Sequence, residues 1–432
     1  MKLEQDVCNG SKRKQIYKCD WLWQTGYYAK TKRKGGRSMR EGWEYKTFGE
    51  VGTFLRGKSI QKADFVEHGL PCIHYGQIHT KFGVSVNKHL SEIPEEIYNK
   101  SIIASPGDIV IAITSEDLEG SCKSTAWLGD YDVAVSSHAA VYKHNLNSKF
   151  IAYYFRSNSF YIEKEKYARG FKVMEIKPTD IARIPIPVPS EKIQSRVVSE
   201  LDKINELIRL KKEQLKDYDN LAQSIFYEMF GDPVVNEKGW EVKNLGEVAM
   251  IKTGPFGSML HKEDYITGGI PLINPMHIQN FKAVPDKDFS ISKEKAAELC
   301  NYQLKINDVI FARRGDIGRC AVISDKEAGC LCGTGSLFVR FERKLSSIYT
   351  MYVVRTTSFI KELVSKAKGA TMLNLNSSTM ENLRFPIPPL PLQQLFAQRI
   401  ELIEKQKAEI QSTIADLETL LASRMQYWFF GF

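Results

Sequence analysis

No apolar run in this 432-residue sequence approaches the roughly 20 residues that a membrane-spanning helix needs, so a membrane span is not expected. The opening residues Met1-Lys2-Leu3-Glu4-Gln5-Asp6 lack the apolar stretch of a secretion signal, and a cytoplasmic protein is the expectation. Eight cysteines are present without a single C-x-x-C pair; only Cys330 and Cys332 stand close together. That scatter argues against zinc and for reduced thiols in cores and loops. The eight histidines show no H-x-x-x-H spacing, and no nucleophile-elbow or nuclease signature is present. Methyltransferase chemistry is missing too. Asn274-Pro275-Met276-His277 is not an Asn/Asp-Pro-Pro-aromatic motif, and no glycine-rich cofactor loop opens a βαβ unit. Charge is also scarcer than the total suggests. The formal charge is +9, but residues 1–40 hold 11 Lys/Arg against 3 Asp/Glu, which leaves the rest nearly neutral. Any nucleic-acid footprint in the main body must therefore be a local patch.

The sequence does hold two copies of one pattern. Gly42-Trp43-Glu44-Tyr45-Lys46-Thr47-Phe48-Gly49-Glu50-Val51 reappears as Gly239-Trp240-Glu241-Val242-Lys243-Asn244-Leu245-Gly246-Glu247-Val248. Leu70-Pro71-Cys72-Ile73 returns as Ile270-Pro271-Leu272-Ile273, and Gly107-Asp108-Ile109-Val110-Ile111-Ala112 as Asn307-Asp308-Val309-Ile310-Phe311-Ala312. Arg156 to Phe160 matches Arg355 to Phe359, and Arg183-Ile184-Pro185-Ile186-Pro187 matches Arg384-Phe385-Pro386-Ile387-Pro388. Tyr227 to Gly231 matches Tyr427 to Gly431. The order is kept at an offset near 200, the signature of an internal duplication.

Each copy has two parts. The first, 41–189 and 237–390, is glycine-rich, with short apolar runs at 108–113 and 308–312 that read as buried strands. Helical stretches are expected near 149–168 and 346–366. The second part is free of Pro and Gly from Ser190 to Phe230. Its apolar seam is Ile193, Val197, Leu201, Ile204, Ile208, Leu215, Tyr218, Ala222, Ile225 and Met229, with Lys211 in the one vacancy. The second seam is Phe396, Ile400, Ile403, Ile410, Ile414, Leu417, Leu421, Met425 and Trp428, interrupted by Lys407. Steps of three and four over several heptads make a coiled-coil pattern. About 40 helical residues span about 60 Å, too long to be buried in one domain, so each helix is expected to pair with its twin. The order domain–helix–domain–helix favours an antiparallel pair; the alternative is two independent surface helices, each packed on its own domain. The fold expected is α+β: two repeated mixed α/β domains joined by two long helices in an antiparallel coiled coil, pseudo-two-fold symmetric. The expected divisions are 1–40, a basic extension; 41–189, a first domain; 190–232, a central helix; 233–390, a second domain; and 391–432, a C-terminal helix.

This arrangement, with the junctions Ile184-Pro185-Ile186-Pro187-Val188-Pro189 and Phe385-Pro386-Ile387-Pro388-Pro389-Leu390-Pro391-Leu392-Gln393-Gln394, resembles the specificity subunits of type I restriction–modification enzymes. The segments Gly69 to Ile78, Lys252 to Ser258 and Lys368 to Asn376 are similar as well, and the resemblance covers residues 41–432. It implies that each domain is a target-recognition domain reading one half of a split double-stranded DNA sequence. The helices would fix the spacing and dock two modification (methyltransferase) subunits, with restriction subunits joining that core. It implies no chemistry here: S-adenosylmethionine, ATP and magnesium would belong to partner subunits, and this chain would carry no cofactor. A non-catalytic coiled-coil scaffold, or a specificity subunit of a related phage-defence methylation system, is the alternative.

Under that resemblance, loops that keep their backbone signals but change side chains are the candidate DNA contacts. His74 to Thr80 aligns with Asn274 to Asn280, so Gln77 becomes His277 and His79 becomes Gln279. Gln can pair with an adenine edge. Arg313 and Arg314 follow a strand and precede a glycine turn, where Ile113 and Thr114 stand in the first copy. Arginine reads guanine or clamps phosphate, unless Arg313 pairs with Asp316. Lys172, Lys368 and Thr371 lie in a glycine-marked loop common to both copies and suit phosphate contacts; Lys252 and Ser258 complete the set.

One motif points elsewhere. Gly52-Thr53-Phe54-Leu55-Arg56-Gly57-Lys58-Ser59 fits the phosphate-loop formula literally. Its variable positions are bulky, no helix has room to follow, and Gly57-Lys58 becomes Gly254-Pro255 in the second copy, so an NTPase is not expected. Lys58 remains a candidate for a DNA phosphate. Residues 1–40 match nothing in the repeat; the expectation is either a start at Met39 or a loosely attached basic arm.

Overall fold

The computed structural model describes residues 42–58, 60–170, 173–315, 317–341, 345–367 and 374–430. The expectations for residues 1–40, Lys172, Asp316, Lys368 and Thr371 lie outside the described residues. The chain divides into two units, the first made of 42–205 with 419–430, the second of 206–418.

In the first unit the start and end of the domain pair with each other. Glu44–Thr47 lies antiparallel to Pro185–Val188, with Tyr45 opposite Pro187. A two-stranded ribbon tolerates the prolines because few ladder donors are demanded of them. A five-stranded sheet follows the order Gly52–Arg56, Ala139–His144, Ile109–Ala112, Ser124–Trp127, Ser85–Val86. Beside it stands a four-stranded sheet of Ser91–Ile93, Leu70–Ile73, Val133–Val135 and Ile102–Ala104. Strand Ile109–Ala112 is buried throughout, as its apolar run predicts.

The second unit repeats the plan. Glu241–Asn244 pairs antiparallel with Arg384–Ile387. One sheet orders Ala249–Thr253, Ser336–Phe341, Val309–Ala312 and Cys320–Val322; another orders Tyr265–Ile266, Ser290–Ile291, Ile270–Ile273 and Leu331–Cys332.

Each expected domain helix is broken in two. Helices run Ser148–Tyr154 and Asn158–Glu165 in the first unit, Ser347–Val354 and Thr357–Lys366 in the second. The break is a new N-cap. Ser157 Oγ accepts the Phe160 N–H at 3.2 Å, and Thr356 Oγ1 accepts that of Phe359 at 3.3 Å.

The long helices run Glu191–Phe230 and Leu390–Phe429, 40 residues each. Their pairing is antiparallel. Within the first unit Glu200 meets Arg424 and accepts the Trp428 indole N–H at 3.2 Å. Within the second, Lys407 meets Asp219 at 2.9 Å and Lys212 meets Glu418 at 2.7 Å. Val197, Leu201, Ile204, Ile208, Ile400, Ile403, Ile410 and Ile414 are buried; Ile193, Leu417 and Leu421 are half-buried. The polar seam position is satisfied in place, since the Lys407 ammonium lies between Asp219 and Glu404, 2.9 and 2.7 Å away. Burial opposes its charge, but the two carboxylates outweigh that and raise its pKa above the ordinary lysine value.

The helix ends depart from the heptad reading. Phe226 and Phe230 take the buried line that the spacing assigns to Ile225 and Met229, which are only half-buried. Their neighbours there are domain rings together with the first turns of the other long helix. Phe230 lies 4.7 Å from the Tyr349 ring, and Phe226 lies 5.7 Å from Phe396. In the first unit Phe429 packs 5.3 Å from Phe150. The helix ends therefore belong to the cores of the domains: Phe226, Phe230 and Phe396 cluster with Tyr352, Leu383 and Phe385, and Val197, Leu201 and Phe429 with Tyr154 and Ile184. Phe230 and Phe429 both close their helices, so the repeat offset through the helices is 199, one residue off the Tyr227/Tyr427 match.

Candidate nucleic-acid interface

The same five segments meet at one place in each unit. In the first, the strand Ile109–Ala112 runs out at Ile113, whose N–H donates to the His138 carbonyl at 3.0 Å. The Ile113 carbonyl accepts the Ile176 N–H at 3.1 Å, and Thr114–Ser115 then pairs with Met174–Glu175. Ser136 Oγ accepts the Tyr75 N–H at 2.9 Å, and Lys58 bridges Ser136. The His79 ring reaches in as well, its Nε2 3.0 Å from the Thr114 carbonyl oxygen.

The second unit uses the equivalent backbone groups. Arg313 N–H donates to the Gly335 carbonyl at 3.1 Å, and its carbonyl accepts the Leu375 N–H at 2.9 Å. Gly254 N–H donates to Ser336, Gly333 N–H to Ile273, and Arg314 bridges Asn374. Gly57 and Gly254 are required here by close approach. A Cβ on Gly57 would lie 2.1 Å from the Ser136 carbonyl oxygen, and one on Gly254 2.0 Å from that of Gly333. Gly52–Arg56 is a strand paired along its length with Ala140–His144, so this segment leaves no loop to wrap a phosphate.

Of the expected contacts in the first unit, Lys58 is exposed and His79 half-buried. Gln77 is committed to the fold instead. Its Oε1 accepts the His74 N–H at 3.0 Å and its Nε2 donates to Ser91 Oγ at 2.7 Å, a capping box that consumes its hydrogen-bonding ends. His277 does the same in the second unit. It is only 3% exposed, its Nδ1 sits 3.1 Å from the Asn274 N–H and 2.9 Å from the Leu272 carbonyl, and its ring packs 5.1 Å from Phe289. Burial lowers its pKa. Gln77 and His277 thus both cap the turns they stand in: the side chain changes between copies while the local task stays.

Gln279 and Ser258 are exposed, although Gln279 Nε2 donates to the Met276 carbonyl at 3.0 Å. Lys252 is half-buried with its ammonium 4.8 Å over the Tyr302 ring, a cation–π contact. Arg314 is exposed. Arg313 is half-buried, and its Nε donates toward Asn374 Oδ1 at 3.2 Å and the Leu375 carbonyl at 3.3 Å, tying the strand end to the segment beyond the glycine-marked loop. Burial, and then the neighbouring Arg314 charge, lowers its pKa.

Sequence reasoning missed Ser136, His138 and Asn374, which hold these loops together. Their signal was available: Ser136 to His138 precedes Ala139 as Gly333 to Gly335 precedes Ser336, so the loop is repeated while its side chains differ. Among the described residues no group of three or more His, Cys, Asp or Glu could hold a metal ion, and no helix is long and apolar enough to cross a membrane. Cys72, Cys122, Cys320, Cys330 and Cys332 are buried and unpaired; burial pushes the Cys72, Cys122 and Cys320 thiols up to about 12. They are core residues.

Comparison with known proteins agrees with this duplicated arrangement. The chain is 25% identical over 286 residues to the type I restriction enzyme MjaIX specificity subunit of Methanocaldococcus jannaschii, covering 61% of this chain and 64% of that one. It is 20% identical to the MjaVIII specificity subunit of the same organism, over 90% of this chain and 94% of that one. A solved structure from a study of complex assembly in the type I R-M system superposes with a TM-score of 0.60 at 19% identity, covering 90% of this chain and 98% of that chain, and so shares the fold. The type I restriction modification DNA specificity domain matches residues 40–217 and again 237–419, and the chain belongs to that family.

Proposed function

We propose that this chain is the sequence-reading subunit of a type I restriction–modification complex and catalyses nothing itself. Each domain reads one half of a split double-stranded DNA target at its convergence of loops. The observation that carries this reading is the repetition of that convergence, with one backbone scheme presenting different side chains: Lys58 and His79 in one unit, Arg313 and Arg314 in the other. Fixed backbone with variable side chains is what base readout on a common scaffold requires. Lys58 supplies a phosphate contact, and Lys172, Lys368 and Thr371 are assigned the same task. The paired helices set the distance between half-sites and dock two modification subunits, on which restriction subunits assemble in the cytoplasm. S-adenosylmethionine, ATP and magnesium are assigned to those partners.

The experiment is methylation mapping in a naive host that expresses the cognate modification subunit with and without this chain. The reading expects a split motif that appears only with the chain. A motif present without it, or an unsplit one, contradicts the reading.

A further inference from the structure

The two convergences differ most sharply at one loop position. Ile113 donates its N–H to the carbonyl of His138, and Arg313 donates to that of Gly335, so His138 and Gly335 hold the same backbone place. His138 is exposed. Its ring lies 4.9 Å from the Tyr75 ring, and its Nδ1 is 3.2 Å from the hydroxyl of buried Thr114. These two contacts hold the imidazole beside the tilted Tyr75 ring and at one nitrogen, and leave Nε2 outside the Thr114 bond. When the Thr114 hydroxyl donates to Nδ1, Nε2 carries the proton and suits a purine N7 or O6 in the major groove. Beside it, His79 Nε2 faces a carbonyl oxygen that can only accept, so the neutral His79 ring offers its Nδ1 as an acceptor.

The second unit cannot build this group. A Cβ on Gly335 would come 2.9 Å from Pro275 Cδ, and Pro275 holds the place of Tyr75. Arg314 stands where Thr114 does. The slot that carries a seated imidazole in one domain is therefore closed in the other, where the arginines are the polar groups at hand.

We propose that His138, seated on Tyr75 and tied to Thr114, is a specificity-determining residue of the first domain that reads a base edge in the first half-site. The proposal rests on the DNA-reading function above and adds the residue that does it. Preorganisation is the physical reason: a ring held on two sides loses little freedom on binding, and a misplaced base leaves its hydrogen bond unmade.

The test is methylation mapping with His138→Gly, the residue of the second copy, beside the wild type. The expected result is a first half-motif relaxed or altered at one position, with discrimination there falling about 5- to 150-fold, and a second half-motif unchanged. An unchanged first half overturns the proposal. Should His138→Gly fail to fold by urea denaturation, His138→Gln keeps a planar polar side chain: an altered preference at one position supports the proposal, and an unaltered motif overturns it. Methylation that does not depend on the wild-type chain at all is a different failure, since it removes the DNA-reading function itself.

Discussion

Gln194 accepts the backbone N–H of Asn147 at 2.9 Å and, through the other end of its amide, donates to the Pro189 carbonyl at 2.9 Å. Gln393 repeats both bonds in its own half, with the Ser346 N–H at 2.7 Å and the Pro388 carbonyl at 2.8 Å. Both amides are buried. Each locks the first turn of a long helix to the start of a domain helix and to its own proline junction. Substituting Gln194→Leu strands the buried Pro189 carbonyl, at about 1–3 kcal/mol, and leaves the partly buried Asn147 N–H unpaired. The expected result is a lower urea midpoint for the half that carries the change, and Gln393→Leu should do the same for the other half. A midpoint unchanged in both variants contradicts the lock.

Glu200 is the acidic end of the helix pairing in the first unit. The Arg424 hydrogen bond, against the opposing effect of burial and with help from the Trp428 indole, holds its pKa below the ordinary glutamate value. A depressed carboxylate stabilises the fold above its unfolded pKa of about 4.3 and loses that contribution as pH falls through the lower folded value. Stability should therefore fall on acidification below about pH 4.3. Glu200→Gln should be less stable at neutral pH and show a shallower acid slope in helix-monitored unfolding. Parallel slopes for the two proteins count against the pairing.

Lys407 is a charge in an apolar seam, and its partners Glu404 and Asp219 are 36% and 47% exposed. Removing the lysine does not bury an unpaired carboxylate, so Lys407→Leu should leave the urea midpoint equal or higher, because an apolar residue can fill the seam. Lys407→Ala leaves a gap and should lower it. A polar seam residue helps fix register, so the leucine variant is expected to self-associate more in sedimentation. A strongly destabilised leucine variant would show that the ammonium is needed for stability.

Arg314 and Lys58 should separate two kinds of DNA contact. Loss of a base-reading arginine in Arg314→Ala is expected to cost about 1–3 kcal/mol on the cognate duplex and to relax the second half-site. Lys58→Ala should weaken binding to all sequences alike and reduce the salt slope by about one. Anisotropy titrations of the assembled complex at several salt concentrations distinguish the two. Equal effects of both variants on specific and random duplexes would remove Arg314 from the readers.

Gln77→Ala provides the counter-case. It breaks a capping box, worth about 1 kcal/mol, and should leave the methylated motif intact. A changed motif would restore Gln77 as a reader.

The large-scale order of the chain was legible because it is periodic. The duplication, the buried strands at 109–112 and 309–312, the proline junctions and the two 40-residue helices all follow from repeated spacing. What escaped depends on neighbours distant in sequence. Spacing marks Ile225 as apolar but cannot show that Tyr349 and Phe396 draw in Phe226 instead. Polarity made Gln77 and His277 candidate readers, yet both turn back onto the N–H three residues earlier. Arg313 was legible as a loop cation but not as an anchor, since Asn374 lies 61 positions away. His138 was legible only as part of a repeated loop with changed side chains; its seat beside Tyr75 depends on a residue distant in sequence.

The central claim is that two independent readers share one chain. Replacing 41–189 with the first domain of a relative that recognises a different sequence, and mapping methylation, tests it most directly. One half of the split motif should change while the other half keeps its bases. A change in both halves, or in neither, with the complex still assembled and active, would contradict it.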